Sequence, residues 1–385
     1  MTEPFANFQN SIYLAGLGGT LPELPLTYAE LERAAREKLR PEAYGYIAGA
    51  AGSEDTLRAN VDAFRGHRLL PRMLRGAAER DHAVELFGRR HPAPVLLAPI
   101  GVQTLAHPEG ELASARAASA LGLTYVLSTA SSHSIEQVAE ASGAGPRWYQ
   151  LYWPREFDLA ASFVERAERA GYEAVVITLD TFYLAWRPRD LTAAFLPFLR
   201  GEGVGIYWSD PVFRAGLEKA PEEDLGAAAL HWVSLYSDPT LRWEGLARLR
   251  ERTRLPILLK GILHPDDARQ AAELGLDGVI VSNHGGRQVD GAIAALDALP
   301  GVVAAVPAGF PVLFDSGIRT GADIVKALAL GARAVLLGRP WLWGLALAGS
   351  PGVEHVLRCL LAEYDLTMAL IGTRAPAELS PEVFA

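Results

Sequence analysis

From Pro94 onward the chain alternates short, nearly continuous apolar runs with stretches in which apolar positions recur at helical spacing. The apolar runs fall at 94–99, 123–128, 147–152, 173–179, 255–260, 278–282, 310–315 and 333–338, and read as parallel strands buried on both faces. Between them the spacing predicts helices at 109–121, 134–142, 156–170, 242–253, 265–274, 292–305 and 320–330. A short helix near 341–347 and a final one at 352–371 complete the pattern. Gly171, Gly275 and Gly331 stand where three of these helices should stop, and Ser134 to Gln137 forms a capping box. The first ninety residues read as helical: Thr27 to Glu30 is a capping signature, followed by Leu31, Ala34, Ala35 and Leu39 on one face until Pro41.

Eight strand-then-helix units in about 255 residues match the count and size of a closed (β/α)8 TIM barrel, an α/β fold. The rival is a doubly wound open sheet, which seldom has eight such units and calls for a glycine-rich loop after its first strand. No GxGxxG opens any helix here. The expected organisation is therefore one barrel domain over 1–385, with a helical cap at 1–93. One connection breaks the rhythm: roughly 75 residues separate the fourth and fifth strands. Its aromatic residues Phe195, Phe198, Tyr207, Trp208, Phe213, Trp232 and Tyr236 argue against full disorder. Residues 186–241 are expected to form a partly ordered lid or subunit contact.

Composition narrows the class. The chain has 385 residues, 50% hydrophobic and 21% charged, which is ordinary for a globular protein. A net charge of −9 without a long basic run argues against nucleic acid as a partner. Cys359 is the only cysteine, which excludes an internal disulfide and a cysteine metal cluster and fits a reducing cytoplasm. No signal-peptide pattern opens the chain, and the apolar stretch Trp341 to Ala348 falls far short of the ~20 residues that span a bilayer. The expectation is a soluble cytoplasmic protein without a membrane contact.

Barrel chemistry occurs at the carboxyl ends of the strands, so these positions form a list of candidate groups. Here they carry Ala98-Pro99-Ile100-Gly101, Ser128-Thr129, Gln150 with Tyr152, Thr178 with Asp180, Lys260, Asn283-His284, Asp315-Ser316-Gly317 and Gly338-Arg339. Polar residues at one strand tip often only cap a helix or meet water. At seven of eight tips they suggest a wide, flat, polar ligand across the barrel mouth. Gly317, Gly338 and Arg339 follow strands seven and eight, where barrels commonly hold phosphate through backbone N–H groups and a cation. Ser282-Asn283-His284-Gly285-Gly286-Arg287-Gln288 is the densest segment: a base beside a fixed cation, with two glycines for the turn. That pair suits removal of a proton from an anionic substrate. The nine histidines show no HxxxH or His/Cys spacing, so no metal is implied.

Segment 282–288, together with Leu259-Lys260-Gly261, Asp315-Ser316-Gly317-Ile318-Arg319 and Leu337-Gly338-Arg339-Pro340, resembles the FMN-dependent L-2-hydroxyacid oxidase/dehydrogenase family. Ala106-His107-Pro108-Glu109-Gly110, Gln150-Leu151-Tyr152 and Tyr46-Ile47-Ala48-Gly49-Ala50 extend the likeness, which runs from about residue 25 to 375. Within the family, Ala48 to Asp55, Pro99-Ile100-Gly101 and Trp186-Arg187-Pro188-Arg189-Asp190 are most similar to lactate 2-monooxygenase. Gly101 stands where many related oxidases have alanine beside the flavin.

The resemblance implies non-covalent FMN held by Pro99, Ile100 and Gly101 near N5 and by Ser128, Gln150 and Thr178 along the pyrimidine edge. Lys260, with Ser282 nearby, would offset negative charge at N1 of the reduced flavin. Asp315, Gly317, Arg319, Gly338 and Arg339 would take the ribityl chain and phosphate. His284 would be the base and Asp180 its orienting carboxylate. Arg187 and Arg287 would clamp the substrate carboxylate in two-bond geometry, with hydroxyls of Tyr46 and Tyr152 as further donors. Arg189 is left to an ion pair of the lid.

The implied activity is oxidation of L-lactate or another short L-2-hydroxy acid by O2. In the monooxygenase outcome pyruvate and peroxide react in the closed site, giving acetate, carbon dioxide and water; in the oxidase outcome pyruvate and H2O2 leave. Retention of the product decides between them, which makes the lid as important as the base. A quinone-linked dehydrogenase lacks a haem extension or anchor here. An inactive flavin-binding barrel would be expected to have lost at least one of His284, Asp180, Lys260, Arg187 and Arg287. The resemblance also implies a homo-oligomer, a tetramer or a multiple of it.

Overall fold

The computed structural model describes residues 4–385. Eight parallel strands close into a barrel in chain order: β1 (Val95–Leu97), β2 (Thr124–Ser128), β3 (Arg147–Tyr152), β4 (Val175–Thr178), β5 (Ile257–Ile262), β6 (Gly278–Val281), β7 (Val312–Phe314) and β8 (Ala334–Leu337). β8 pairs back onto β1 through Val335↔Val95, so no edge remains open. The fold is the expected TIM barrel, with every strand inside or within two residues of its predicted run.

Buried side chains fall into two sets. Leu96, Val126, Trp148, Val176, Leu258, Ile280, Leu313 and Leu336 fill the barrel interior. Their chain neighbours Val95, Leu97, Leu127, Val175, Ile257, Val279, Val312 and Val335 face the surrounding helices. This period-two alternation between two dry environments explains why the strands read as unbroken apolar runs. Around them lie α1 (Gly110–Ala120), α2 (Ile135–Ser142), α3 (Phe157–Arg169), α4 (Trp243–Arg250), α5 (Pro265–Glu273), α6 (Ala295–Ala305), α7 (Gly321–Ala329) and α8 (Arg339–Leu370). The capping box at Ser134 forms as read, with reciprocal bonds to Gln137. α8 is broken at Ala348 and Gly349, where the backbone leaves helical geometry, and so contains both predicted carboxyl-terminal helices.

The amino-terminal region departs from its reading at one place. Helices at Asn7–Leu17, Tyr28–Lys38, Pro41–Ala48 and Asp55–Gly66 are followed by a hairpin, Val84–Leu86 against Arg89–His91. Three-residue strands are too short to carry a readable period. The hairpin's Leu86 and Phe87 pack on the interior set, with the Phe87 ring 5.6 Å from that of Trp148, and close the barrel end opposite the strand tips.

The long connection after β4 folds into short helices at Pro188–Thr192, Gly205–Trp208, Pro211–Ala215 and Leu225–Leu235. Phe198, Trp232 and Tyr236 stack at 4.6 and 4.8 Å between successive centroids. A buried guanidinium fastens the segment to the barrel: Arg166 of α3 donates to Asp210 Oδ2 at 2.9 Å and to Ile206 O at 3.2 Å. Asp210 also caps its own helix, accepting from Val212 N and Phe213 N. Most of the lid is therefore a packed wall.

Candidate active site

β6 ends at Val281, and the next turns place the imidazole over the barrel mouth. His284, Gly285 and Gly286 have φ of 58°, 63° and 79°, three consecutive left-handed residues. A Cβ on Gly286 would lie 2.6 Å from Leu57 N, so glycine is required there by close approach as well as by conformation. A non-glycine residue in this region is uncommon, and strain of this kind collects at functional sites.

His284 Nδ1 lies 2.8 Å from Asp180 Oδ1 at the tip of β4. The Thr181 hydroxyl donates to the same oxygen at 2.9 Å and sits 3.1 Å from Nδ1. Burial disfavours ionisation of Asp180, but His284 and Lys260, with hydrogen bonds from His284 and Thr181, outweigh it and hold the carboxyl at about 2. Burial is also the largest influence on His284; it lowers the imidazole below its usual value against the opposing pull of Asp180. An ionised acceptor at Nδ1 assigns the proton to that nitrogen, leaving the Nε2 lone pair free as a base. Nε2 stands 3.5 Å from the Tyr152 hydroxyl.

Two arginines share this cavity. Arg287 donates to the carbonyls of Tyr46 and Gly49 at 2.7 and 2.6 Å, and its guanidinium carbon lies 5.1 Å from the Tyr46 ring centroid. Arg187 donates from Nε to Arg287 O at 3.1 Å and from Nη2 to Gln288 Oε1 at 2.9 Å. Burial, then the neighbouring Arg187, brings Arg287 down to about 10. Like charges this close disfavour one another, and a substrate carboxylate bound between them would offset both. Burial lifts Tyr46, and lifts Tyr152 well above the usual phenol value, so both remain hydrogen-bond donors. Arg189 pairs with Glu54 at 2.6 Å, the lid ion pair its position suggested.

The remaining predicted residues can be tested for their fit to a flavin. Lys260 Nζ donates to Ser282 Oγ at 2.9 Å and pairs with Asp315 Oδ2 at 3.2 Å. Burial works against its charge, but Asp315 and Asp180 raise its pKa above the usual lysine value. Gln150 Nε2 and Thr178 Oγ1 are buried at adjacent strand tips without a partner among the described residues. Orphaned buried polar groups side by side suit the donor and acceptor edge of a pyrimidine ring. Ser128, buried at the next tip, accepts from Ala130 N. Pro99, Ile100 and Gly101 line the cavity beside them. Arg319, Arg339, Gly317 and Gly338 line the same cavity. Arg339 donates to the carbonyls of Ile47, Gly285 and Gly49 at 3.1, 3.2 and 2.9 Å, and burial, then the neighbouring Arg287 and Arg319, lowers its pKa to about 9. Polar ring edge, cation near the ring and phosphate end thus all fit FMN.

The cavity collects fourteen of the predicted residues: Tyr46, Pro99, Ile100, Gly101, Tyr152, Arg187, Lys260, His284, Arg287, Asp315, Gly317, Arg319, Gly338 and Arg339. Thr178, Asp180 and Ser282 line a second cavity that shares Tyr152 and Thr181 with the first, and Ser128 and Gln150 are buried at their strand tips. The structure adds lining residues that sequence reading missed: Ala130, Thr181, Leu184, Phe198 and Tyr236. Phe198 and Tyr236 were visible only as part of an aromatic-rich insertion. No group of three His, Cys, Asp or Glu suited to a metal ion occurs among the described residues. No helix among them is long and apolar enough to cross a membrane.

A closed barrel whose mouth gathers a histidine–aspartate pair, two guanidiniums and a buried lysine suits a flavin-dependent enzyme acting on hydroxy acids. The family model for FMN-dependent dehydrogenase matches residues 35–385, and the chain belongs to that family. It is 47% identical over 378 residues to an FMN-dependent alpha-hydroxy acid dehydrogenase of Penicillium citrinum, covering 97% of this chain and 94% of that protein. It is also 47% identical over 349 residues to an L-lactate oxidase of Lysinibacillus sphaericus, covering 91% and 90%. The 2-hydroxyacid oxidase 1 of Homo sapiens is 41% identical over 91% of this chain and 94% of its own length. Among solved structures, mandelate oxidase with (S)-4-hydroxymandelic acid superposes with a TM-score of 0.83 at 40% identity, covering 93% of this chain and 98% of that one. The cofactor is FMN and the chemistry is oxidation of 2-hydroxy acids.

Proposed function

We propose that this enzyme oxidises L-lactate, or another short L-2-hydroxy acid, with O2 as a lactate 2-monooxygenase, giving acetate, carbon dioxide and water. The observation that carries the reading is the His284–Asp180 pair at 2.8 Å, set in one cavity with Arg187 and Arg287. FMN, when bound, supplies the two-electron acceptor that O2 reoxidises. The chain's own residues do the rest. Arg187 and Arg287 hold the substrate carboxylate; Tyr46 and Tyr152 donate to the carboxylate and to the hydroxyl or keto oxygen. His284 Nε2 takes the substrate proton, and Asp180 stabilises the imidazolium that forms. Lys260 places positive charge beside the flavin pyrimidine.

The monooxygenase outcome rests on the aromatic side chains Tyr152, Phe198 and Tyr236 that line the cavity, which favour keeping pyruvate and peroxide together. A second reading, a 2-hydroxyacid oxidase that releases the oxo acid and H2O2, is favoured by the names of the similar L-lactate oxidase and 2-hydroxyacid oxidase. The exposed apolar side chains Tyr13, Leu14 and Leu17 support a homo-oligomer, for which a tetramer is proposed, and the single cysteine supports a cytoplasmic setting.

Product analysis with L-lactate under air separates the two: acetate supports the monooxygenase, whereas pyruvate with stoichiometric peroxide replaces it by the oxidase. His284→Gln should retain FMN yet lose at least ~10² in anaerobic bleaching by L-lactate, the scale of positioned base catalysis. Normal bleaching in that variant would remove His284 as the base.

A further inference from the structure

The loop from Asp180 to Arg187 carries the orienting carboxylate at one end and a substrate arginine at the other. Between them Phe182, Tyr183 and Trp186 face outward. One side chain from a different strand end crosses its neck. Gln288 Nε2 donates to Asp180 O at 2.5 Å and to Tyr183 O at 3.0 Å, while Gln288 Oε1 accepts from Arg187 Nη2 at 2.9 Å. Both N–H donors and one acceptor site of the amide head are thus spent on a single loop. Arg187 has one other anchor, the carbonyl of Arg287, and among the described residues no group engages its Nη1.

We propose that Gln288 is a positioning residue for substrate recognition: it sets the direction of the Arg187 guanidinium and ties that direction to the loop carrying Asp180. This deepens the functional reading above and rests on it. Three features make the amide suited to the task. Its oxygen fixes one edge of Arg187 without adding a negative charge that would compete with the substrate carboxylate. Its nitrogen closes the loop on two carbonyls, which a carboxylate could not do. Its placement one residue after Arg287 means that the two guanidiniums are referenced to the same short stretch of backbone. A two-bond grip on a planar carboxylate tolerates little misalignment, so loosening one arginine should weaken binding well before it touches proton transfer.

The test is a double-mutant cycle on the FMN-loaded protein, read as oxalate affinity by calorimetry, with oxalate as a dicarboxylate probe of the clamp. Gln288→Leu should weaken oxalate at least tenfold, with most of the loss in kcat/KM for L-lactate falling on KM, and with FMN affinity within twofold of wild type. In an Arg187→Met background the same substitution should have less than a threefold effect, because the arginine it positions is gone. Losses that simply multiply would overturn the proposal, since Gln288 would then act independently of Arg187. Should Gln288→Leu fail to retain FMN, the isosteric Gln288→Glu serves. It keeps the shape, neutralises Arg187 and repels the two carbonyls, so unchanged oxalate affinity in that variant overturns the proposal equally. The functional reading fails separately, and takes the proposal with it, if Arg187→Met alone leaves oxalate binding intact or if wild-type flavin is not bleached by any 2-hydroxy acid.

Discussion

His284 is under two opposing influences, and their balance has a measurable sign. Burial favours the neutral ring and prevails, while Asp180 favours the charged one. A base must be neutral to act, so the bleaching rate should rise with pH along an acid limb lying below the ordinary imidazole value and be level at neutrality. Asp180→Asn removes the influence that raises the imidazole pKa, which shifts that limb to lower pH. It also removes the acceptor that fixes the Nδ1 proton and stabilises the imidazolium, so the plateau should fall by ~10² to 10⁴. A stopped-flow pH profile of anaerobic reduction checks both; a limb that moves to higher pH would contradict the assignment. His284, Asp180 and Arg287 were legible because a barrel puts chemistry at strand tips and these types are conspicuous there, whereas Arg187, inside the insertion, was found only through the family resemblance. Thr181 and Gln288 were not, because nothing in an ordinary hydroxyl or amide signals that its partner is an aspartate or an arginine brought near only by folding.

Among the elements, the helix Asp55–Gly66 explains why the amino-terminal region matters to a barrel site. Asn60 and Asn283 exchange hydrogen bonds between their side-chain amides, 2.8 Å in each direction, both buried. Asn60 Oδ1 also accepts from Ala295 N at the start of α6. The residue beside the base is therefore pinned from outside the barrel. Asn60→Leu leaves the Asn283 amide and the Ala295 N–H without that partner, and should cost about 2 to 4 kcal/mol of stability at ~1–3 per orphaned group. Urea unfolding at fixed FMN concentration measures it, and a midpoint equal to wild type would show that water replaces the lost partner. The helical character of the first ninety residues was readable, whereas the docking partner of this helix was not, since an asparagine at a helical position more often faces solvent. The small hairpin escaped notice for a different reason: strands of three residues are too short to establish an alternation.

Across the whole molecule, the strand–helix rhythm specified the barrel because each strand lies between two apolar layers and each helix exposes one face. The 186–241 insertion has no such repeat, and its order depends on long-range partners such as Arg166 with Asp210. Most of that insertion is a packed wall, whereas the narrow loop between Asp180 and Arg187 exposes Phe182, Tyr183, Leu184 and Trp186. That loop carries its own optical label. Trp186 is 75% exposed, and it alone among the chain's eight tryptophans is exposed. A collisional quencher such as acrylamide should therefore address one indole selectively. If filling the clamp draws the loop inward, oxalate will shield that fraction of the emission; if the loop is rigid, quenching will be the same with and without oxalate. The residue that marks the doorway could report, in ordinary fluorescence, how long the door stays shut, the quantity on which the choice between acetate and peroxide turns.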